Sequence, residues 1–143
     1  MVKAFIDTNV LLDYLVPERR GHQDALYVFK MILEHKIEAL ITTQSVLDAA
    51  YIGQKYKDTF VQEFKNTIKH LIWRTNMSSI DAFQLNQALL SPEPDLEDNA
   101  QISCAYNECC DVFLTGDKAL LARTVPKPMR IMTPSDFIAQ CKG

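Results

Sequence analysis

Short apolar runs alternate with longer amphipathic segments along this chain, and this alternation restricts its fold more than any other feature of the sequence. Runs of strand length occupy residues 2–7, 36–42, 111–115 and 129–133, and a weaker one lies around 72–77. The segments between them place apolar residues at helical spacing. The pattern predicts an α/β fold with a central parallel sheet of four to five strands and helices on both faces.

The bulk composition is that of one soluble domain. The 143 residues are 48% hydrophobic and 23% charged, which predicts a single domain over residues 1–143 with a substantial core. Neither a membrane span nor an export leader is found, so we expect a cytoplasmic protein with no membrane partner. The net charge of −3 argues against binding nucleic acid through bulk charge alone. Small basic groups such as Arg19 with Arg20 are as compatible with solvated surface as with phosphate contacts.

Several familiar sites are excluded by residue counts and spacing. The four cysteines lack the CxxC spacing of zinc sites, so we expect free, mostly buried thiols, and the three histidines form no HxxxH pair. The four glycines form neither GxGxxG nor GxxxxGK[ST], which excludes the usual dinucleotide and P-loop motifs.

Two aspartates follow predicted strands. Asp7 ends the first apolar run, and Asp117 comes just after the run at 111–115, where a helix starts. Chemistry in parallel α/β folds gathers at the carboxyl ends of the strands. Each residue could instead serve only as a helix N-cap.

Two further aspartates lie on predicted helices. Asp48 is the only charge in SVLDAAYI and shares a helix side with Tyr51 and Ile52, although a solvated helix edge is the alternative. Asp98 lies on the side of Ile102, Ala105 and Cys109, which directs its carboxylate along the buried face.

The segment PEPDLEDNA also reads as a helix start, with Asp95 as N-cap and Asp98 three residues later. A metal ligand can also occupy a first turn, so the capping and functional interpretations are compatible. The recurrence of acids at strand ends and helix starts favours one shared site made of Asp7, Asp48, Asp98 and Asp117.

Carboxylates within about 4–6 Å of one another raise each other's pKa, so such a cluster needs positive charge. No buried Arg or Lys is evident in the sequence to supply it. Hard oxygen ligands favour Mg²⁺ or Mn²⁺ over zinc. Such an ion can activate water and stabilise charge on a scissile phosphate, which favours phosphodiester hydrolysis.

Four segments, FIDTNVLLDYL, TTQSVLDAAYI, DLEDNAQISCA and FLTGDKALL, make the chain resemble the PIN-domain ribonucleases, a family that includes many bacterial toxins of toxin-antitoxin pairs. The first and last segments are specific when they occur together in this order, whereas the middle two are weak alone. The resemblance covers essentially the whole chain. It implies metal-dependent cleavage of single-stranded RNA and a small antitoxin partner that inserts a basic side chain into the acidic pocket; a homodimer is also compatible with the sequence.

The resemblance also implies roles. Asp7, Asp98 and Asp117 would hold one Mg²⁺ or Mn²⁺, and Asp48 would position or deprotonate the attacking water. Thr8 and Asn9 would orient Asp7 or bond to water and phosphate, and Thr115 would support Asp117. Asp95 and Glu97 would lie just outside the metal ligands. The family usually has glutamate at the second acidic position, and Asp48 is one methylene shorter.

Two alternatives remain. A PIN-fold binding module without catalysis is favoured by the short Asp48 and the modest basic content. An acidic-site phosphatase resembles the first strand, but the DxD motif of that class is replaced by Asp7-Thr8-Asn9.

Overall fold

The computed structural model describes residues 1–143 and contains one five-stranded sheet in which every strand pair is parallel. The strands are β1 (Lys3–Ile6), β2 (Glu38–Thr42), β3 (Asn76–Ser78), β4 (Val112–Leu114) and β5 (Arg130–Met132). Their order across the sheet is β3-β2-β1-β4-β5, so β1 lies at the centre. The predicted parallel sheet is therefore confirmed, and the weak run at 72–77 contributes the edge strand β3.

Eight helices connect and follow these strands. They are α1 (Thr8–Leu15), α2 (His22–Leu33), α3 (Thr43–Gly53), α4 (Phe60–Leu71), α5 (Ala82–Leu90), α6 (Leu96–Asn107), α7 (Lys118–Leu121) and α8 (Pro134–Lys142). The segments of helical spacing between the predicted strands therefore form helices, as expected. No helix is long and apolar enough to cross a membrane.

The core lies on both faces of the sheet because successive strand residues point to opposite sides. Ala4 and Ile6 of β1 belong to the larger apolar cluster, which includes residues of α1, α2, α3, α4 and α8. Phe5, between them, belongs to the smaller cluster together with residues of α6 and α7. Phe5 stacks on Phe113 of β4 with ring centroids 4.6 Å apart, a contact that contributes about 0.5–1.5 kcal/mol beyond area burial.

Polar residues turn several strands directly into helices at the carboxyl edge of the sheet. Asp7 caps α1, Thr42 caps α3, Asp117 caps α7 and Thr133 caps α8. In each cap the side-chain oxygen accepts a hydrogen bond from a backbone N–H of the first turn, which is worth about 1 kcal/mol. This way of starting helices concentrates polar side chains at one edge of an otherwise apolar sheet.

Two sequence-based expectations need correction. All four cysteines are free, but only Cys104 and Cys110 are buried, while Cys109 and Cys141 are exposed. The sequence spacing also predicts Cys109 on the buried side of the helix that carries Asp98. That helix ends at Asn107, and Cys109 follows it with a φ of 61°, which takes its side chain out of the helical register.

Candidate active site

Asp7 is buried where β1 meets α1, and its carboxylate is held from three sides. The backbone N–H of Thr8 donates to Oδ1 at 2.8 Å, while Asn9 Nδ2 and Thr115 Oγ1 each donate to Oδ2 at 2.7 Å. The backbone N–H of Asp7 donates to Leu114 O at 3.1 Å, which ties the residue to β4. Asp7 is 5% exposed, so its direction is set by the sheet rather than by solvent.

The same hydrogen bonds connect Asp7 to the end of β4. Thr115 is fully buried, and its Oγ1 accepts the backbone N–H of Asp117 at 3.0 Å while donating to Asp7. Asn9 Oδ1 accepts the backbone N–H of Gly116 at 2.9 Å. We call Asp7, Asn9, Thr115, Gly116 and Asp117 the strand-end half of the site.

Asp117 combines a capping role with a place at this edge. Its Oδ1 accepts the backbone N–H of Ala119 at 2.8 Å, which starts α7. Because this bond uses only one carboxylate oxygen, the other oxygen remains available to a ligand.

Asp48 lies on α3, one and a half turns into the helix. It is half-buried, and its Oδ1 accepts a hydrogen bond from the exposed Gln44 side chain at 3.0 Å. Tyr51 and Ile52 line the same cleft as Asp48, in agreement with the helix side expected from their spacing.

The first turn of α6 supplies two more acids. Asp95 is the N-cap, and its Oδ1 accepts the backbone N–H of Asp98 at 3.0 Å, so the capping interpretation of this segment is confirmed. Glu97 Oε1 accepts a bond from Gln101 Nε2 at 3.3 Å. Asp98 is half-buried and faces the same cleft as Glu97. We call Asp48, Glu97 and Asp98 the helix half of the site.

Burial and the charges of neighbouring acids raise the pKa values of Glu97, Asp98 and Asp7. Partial burial of its carboxyl group raises the pKa of Glu97 to about 7, with further contributions from the charge of Asp48 and from a hydrogen bond that protonated Glu97 can donate to it. Burial and the charges of Asp95, Asp7 and Asp117 raise the pKa of Asp98 to about 6, against a smaller lowering by Arg123. Burial also raises the pKa of Asp7, although its three hydrogen bonds oppose the shift.

Acids of both halves line one open cleft of about 530 Å³. Its lining includes five acids, Asp7, Asp48, Glu97, Asp98 and Asp117, and one basic side chain, Arg19. The four aspartates selected from the sequence therefore come together although they belong to separate parts of the chain. Thr8 and Asn9 also line the cleft, whereas Thr115 lies beneath it and Asp95 contributes its charge to Asp98.

The donor chemistry of the cleft fits a hard divalent cation. Carboxylate oxygens are the ligands that Mg²⁺ and Mn²⁺ prefer. Desolvation and the charges of neighbouring acids raise the pKa values of Glu97 and Asp98, and a bound cation would oppose both effects. As the side chains stand, no three acidic, histidine or cysteine residues are arranged closely enough to hold a metal ion.

The residues that hold the acids in place differ in part from those expected from the sequence. Thr8 orients Asp7 through its backbone N–H, but its hydroxyl donates to Ser45 Oγ at 2.9 Å. Thr42 Oγ1 also donates to Ser45 Oγ at 3.1 Å, and both Thr42 and Ser45 are fully buried. Sequence reasoning missed this link between β2, α1 and α3. Polar residues at the predicted end of an apolar strand were the available signal.

The central strand of this parallel sheet is followed by a buried aspartate, and further acids from two helices line the same cleft. The chain is thus an α/β protein with an acidic cleft at the carboxyl edge of its sheet. The PIN-domain family model matches residues 3–119, and the chain belongs to this family. Ribonuclease VapC1 of Aquifex aeolicus (strain VF5) is 21% identical over 140 residues, covering 94% of this chain and 92% of the relative.

Solved structures share the fold. VapC20 of Mycobacterium tuberculosis, described as a sarcin-ricin loop cleaving toxin, has a TM-score of 0.65 at 12% identity, and the match covers 87% of this chain and 99% of that one. A toxin-antitoxin complex from Klebsiella pneumoniae has a TM-score of 0.63 at 20% identity, with coverage of 92% and 97%. At these identities the likeness establishes the architecture and leaves the chemistry to the site itself.

Proposed function

We propose that this chain is a metal-dependent endoribonuclease that hydrolyses phosphodiester bonds of single-stranded RNA in the cytoplasm, with residues 1–143 acting as one nuclease domain. The observation that carries the proposal is the convergence of Asp7, Asp48, Asp98 and Asp117, from separate elements, on one cleft at the carboxyl edge of the sheet. The choice of RNA is supported by the relative named as a ribonuclease.

Asp7, Asp98 and Asp117 are the proposed ligands of a Mg²⁺ or Mn²⁺ ion, which would supply Lewis-acid stabilisation of charge on the scissile phosphate. Asp7 presents a fixed carboxylate because Thr115, Asn9 and the Thr8 N–H hold it. Asp48, on α3, would orient or deprotonate the attacking water.

Glu97 would hold a proton beside Asp48 when the metal is absent, because partial burial and Asp48 raise the pKa of Glu97 to about 7. Asp95 fixes the first turn of α6 through its bond to the Asp98 N–H and so positions the two acids that follow it. Both residues would act on the site through their neighbours.

The direct test combines calorimetric titration of Mn²⁺ with cleavage of an unstructured RNA. Wild type should bind Mn²⁺ and cleave with Mn²⁺ or Mg²⁺, and chelation should abolish cleavage. Asp98→Asn should lose metal binding and at least about 10²-fold in cleavage rate, in the range found when a group that stabilises transition-state charge is removed.

Glu34→Gln is the matched control, because it also converts one carboxylate to an amide but lies in an exposed position after α2. It should behave as wild type. If neither wild type nor Asp98→Asn responds to metal, the chain is better described as a PIN-fold binding module. A stable phosphoryl group trapped on Asp7 after exposure to a small acyl phosphate would instead indicate a phosphatase.

We further propose that the chain is the toxin of a toxin-antitoxin pair. The support is the structural likeness to the toxin-antitoxin complex from Klebsiella pneumoniae and a cleft with five acids and one arginine. A basic side chain of a small antitoxin would relieve this excess of negative charge. Expression of the wild-type chain alone should arrest growth, and Asp98→Asn should not. Normal growth with fully active nuclease would contradict the toxin role.

A further inference from the structure

Arg19 is the one basic side chain that lines the acidic cleft, and it is held there by two specific bonds. Its Nε donates to Asp13 Oδ1 at 2.7 Å, and its Nη1 donates to Tyr56 Oη at 2.8 Å. The side chain of Arg19 is 23% exposed and that of Asp13 is 17% exposed. An arginine anchored at both Nε and Nη1 loses little further conformational freedom when it binds a ligand.

These two bonds do not use the full capacity of the guanidinium group. Arginine has five N–H donors, so one N–H on Nη1 and both on Nη2 remain after the bonds to Asp13 and Tyr56. A planar fork with free donors on two nitrogens matches two oxygens of one phosphate.

Arg19 is not the counterion of the cleft acids. Its bonds go to Asp13, on α1, and to Tyr56, just after α3, and it makes none to the five acids that share the cleft with it. Arg123, rather than Arg19, is the cation that lowers the pKa of Asp98. The charge of Arg19 is therefore paired with Asp13 at the edge of the cleft and not with the five acids that line it.

A second open cleft, of about 760 Å³, continues from the acidic one on the Arg19 side. Both clefts are lined by Asn9, Arg19 and Asp117, and the second also contains Arg20 and the acids Asp13, Glu18 and Asp24. A strand of RNA passing from one cleft to the other would pass Arg19, the one cation that lines both. Without Arg19, the residues shared by the two clefts would offer a phosphate the Asn9 amide and the negative charge of Asp117.

We propose that Arg19 binds the RNA phosphate adjacent to the scissile phosphate, and that Asp13 and Tyr56 are positioning residues that hold its guanidinium in place. This inference rests on the proposed function, because it assigns the path of the substrate of the same site. Gly21 belongs to the same arrangement, since a Cβ at this position would clash with the Asp13 carboxylate.

The test measures binding of a labelled unstructured RNA by fluorescence anisotropy between 50 and 200 mM salt, in Ca²⁺ without Mg²⁺ or Mn²⁺, alongside cleavage kinetics in Mg²⁺. Arg19→Gln should weaken binding about tenfold. It should also reduce the slope of log affinity against log salt by about 0.7, the value for one phosphate contact on a single strand. In cleavage, KM should rise with little change in kcat.

The matched control is Arg74→Gln, which removes one arginine charge near the amino ends of β2 and β3, where Arg74 lies beside Glu38 and Asn76. It should leave affinity, salt slope and KM unchanged. Arg19→Lys keeps the charge but not the fork, so it should retain the salt slope and recover only part of the affinity. Tyr56→Phe should weaken binding about threefold with an unchanged salt slope.

The outcomes separate the two proposals. If wild type neither binds nor cleaves RNA, the proposed function fails and the role of Arg19 fails with it. If wild type binds and cleaves RNA while Arg19→Gln and Arg74→Gln have equal affinities and salt slopes, only the role of Arg19 is overturned. A purely structural Arg19 would lower the melting temperature of Arg19→Gln without a change in salt slope, and this result would also overturn the inference.

Discussion

The strand-end half and the helix half of the cleft carry similar acids in very different settings. In the strand-end half, Asp7 accepts three hydrogen bonds from residues whose own positions are fixed by β1 and β4. In the helix half, Asp48 accepts one bond from an exposed glutamine, and Glu97 and Asp98 have pKa values raised to about 7 and about 6. In the strand-end half, hydrogen bonds fix the direction of the Asp7 carboxylate. In the helix half, burial and neighbouring negative charges disfavour the ionised forms of Glu97 and Asp98.

The difference follows from how each half is made. Strand ends in a parallel sheet are joined to their neighbours by backbone hydrogen bonds, and β1 pairs with β4 in this way. The positions of Asp7 and Thr115, which follow these two strands, are therefore fixed by the sheet. The helix half depends on the packing of α3 and α6 on opposite faces, with no direct hydrogen-bond link to β1. We infer that the strand-end half is preorganised and that the helix half adjusts when positive charge enters the cleft.

The largest expected effect comes from comparing Asp7→Asn with Asp48→Asn. Asp7→Asn should reduce cleavage by about 10²–10³-fold, because an amide in a fixed, buried position removes the charge from the anchored ligand. Asp48→Asn should reduce cleavage by only about 10-fold, since its carboxylate is half-buried and shorter than the glutamate usual in the family. Single-turnover cleavage rates in saturating Mg²⁺ measure both. Equal losses would contradict the division into a fixed half and an adjustable half.

The next comparison concerns the residues that support the acids. Thr115→Val preserves shape but removes the hydroxyl that donates to Asp7 and accepts the Asp117 N–H. Loss of a group that orients a metal ligand typically costs 10–100-fold in activity or metal affinity, and a buried unpaired group costs about 1–3 kcal/mol of stability. Gln44→Ala removes the exposed partner of Asp48 and should cost less than about threefold, with little change in melting temperature.

Both variants should be measured for Mn²⁺ affinity as well as cleavage. A larger loss of Mn²⁺ affinity in Gln44→Ala than in Thr115→Val would show that Asp48 contributes more to metal binding than Asp7, against the proposed ligand set.

The strand-end half was largely predictable from the sequence. Asp7 and Asp117 follow apolar strands, and parallel strands bring their carboxyl ends to one edge, so the pattern alone predicts their proximity. The place of Asn9 and Thr115 was expected from the family resemblance, and the structure adds their bonding to Asp7. Local periodicity sufficed because each acid lies next to a strand.

The helix half was predicted less completely. Periodicity gave the helix side of Asp48, but it could not give the distance between α3 and α6 or the contact between Glu97 and Asp48 that contributes to the raised pKa. The position of Arg19 also depends on long-range contacts, because Tyr56 is 37 residues away in sequence. Contacts between elements that are distant along the chain leave no signal in the local pattern of either element.

A smaller effect tests the contact between Asp48 and Glu97. Asp48→Asn should lower the pKa of Glu97 from about 7 toward its ordinary value near 4.5, because the Asp48 carboxylate raises it through a hydrogen bond and through charge. Part of the rise should remain, since burial is its largest cause. Carbon-13 NMR titration of the side-chain carboxyls measures the shift. An unchanged pKa of Glu97 in Asp48→Asn would show that Asp48 and Glu97 do not interact.

The smallest effect concerns stability against pH without metal. The folded pKa values of Glu97 and Asp98, about 7 and about 6, exceed the ordinary values of 4.5 and 3.8, so the folded state binds extra protons in this range. Their contribution to stability is therefore fully present below about pH 4 and is lost as the pH rises through 6 to 7. Glu97 is exposed and Asp98 half-buried, so solvent screening reduces the effect to about 1 kcal/mol.

Such a contribution corresponds to about 2–4 °C in melting temperature for a chain of this size. Asp98→Asn removes one of the two acids, so its melting temperature relative to wild type should increase between pH 5 and pH 8, while Glu34→Gln should show no such trend. Added Mg²⁺ should reverse the trend for wild type, because the cation binds the ionised carboxylates that repel one another in its absence. A melting-temperature difference between Asp98→Asn and wild type that stays constant from pH 5 to pH 8 would mean that the acids of the helix half do not destabilise the fold when they ionise. The two halves would then differ only in the hydrogen bonds that their acids accept.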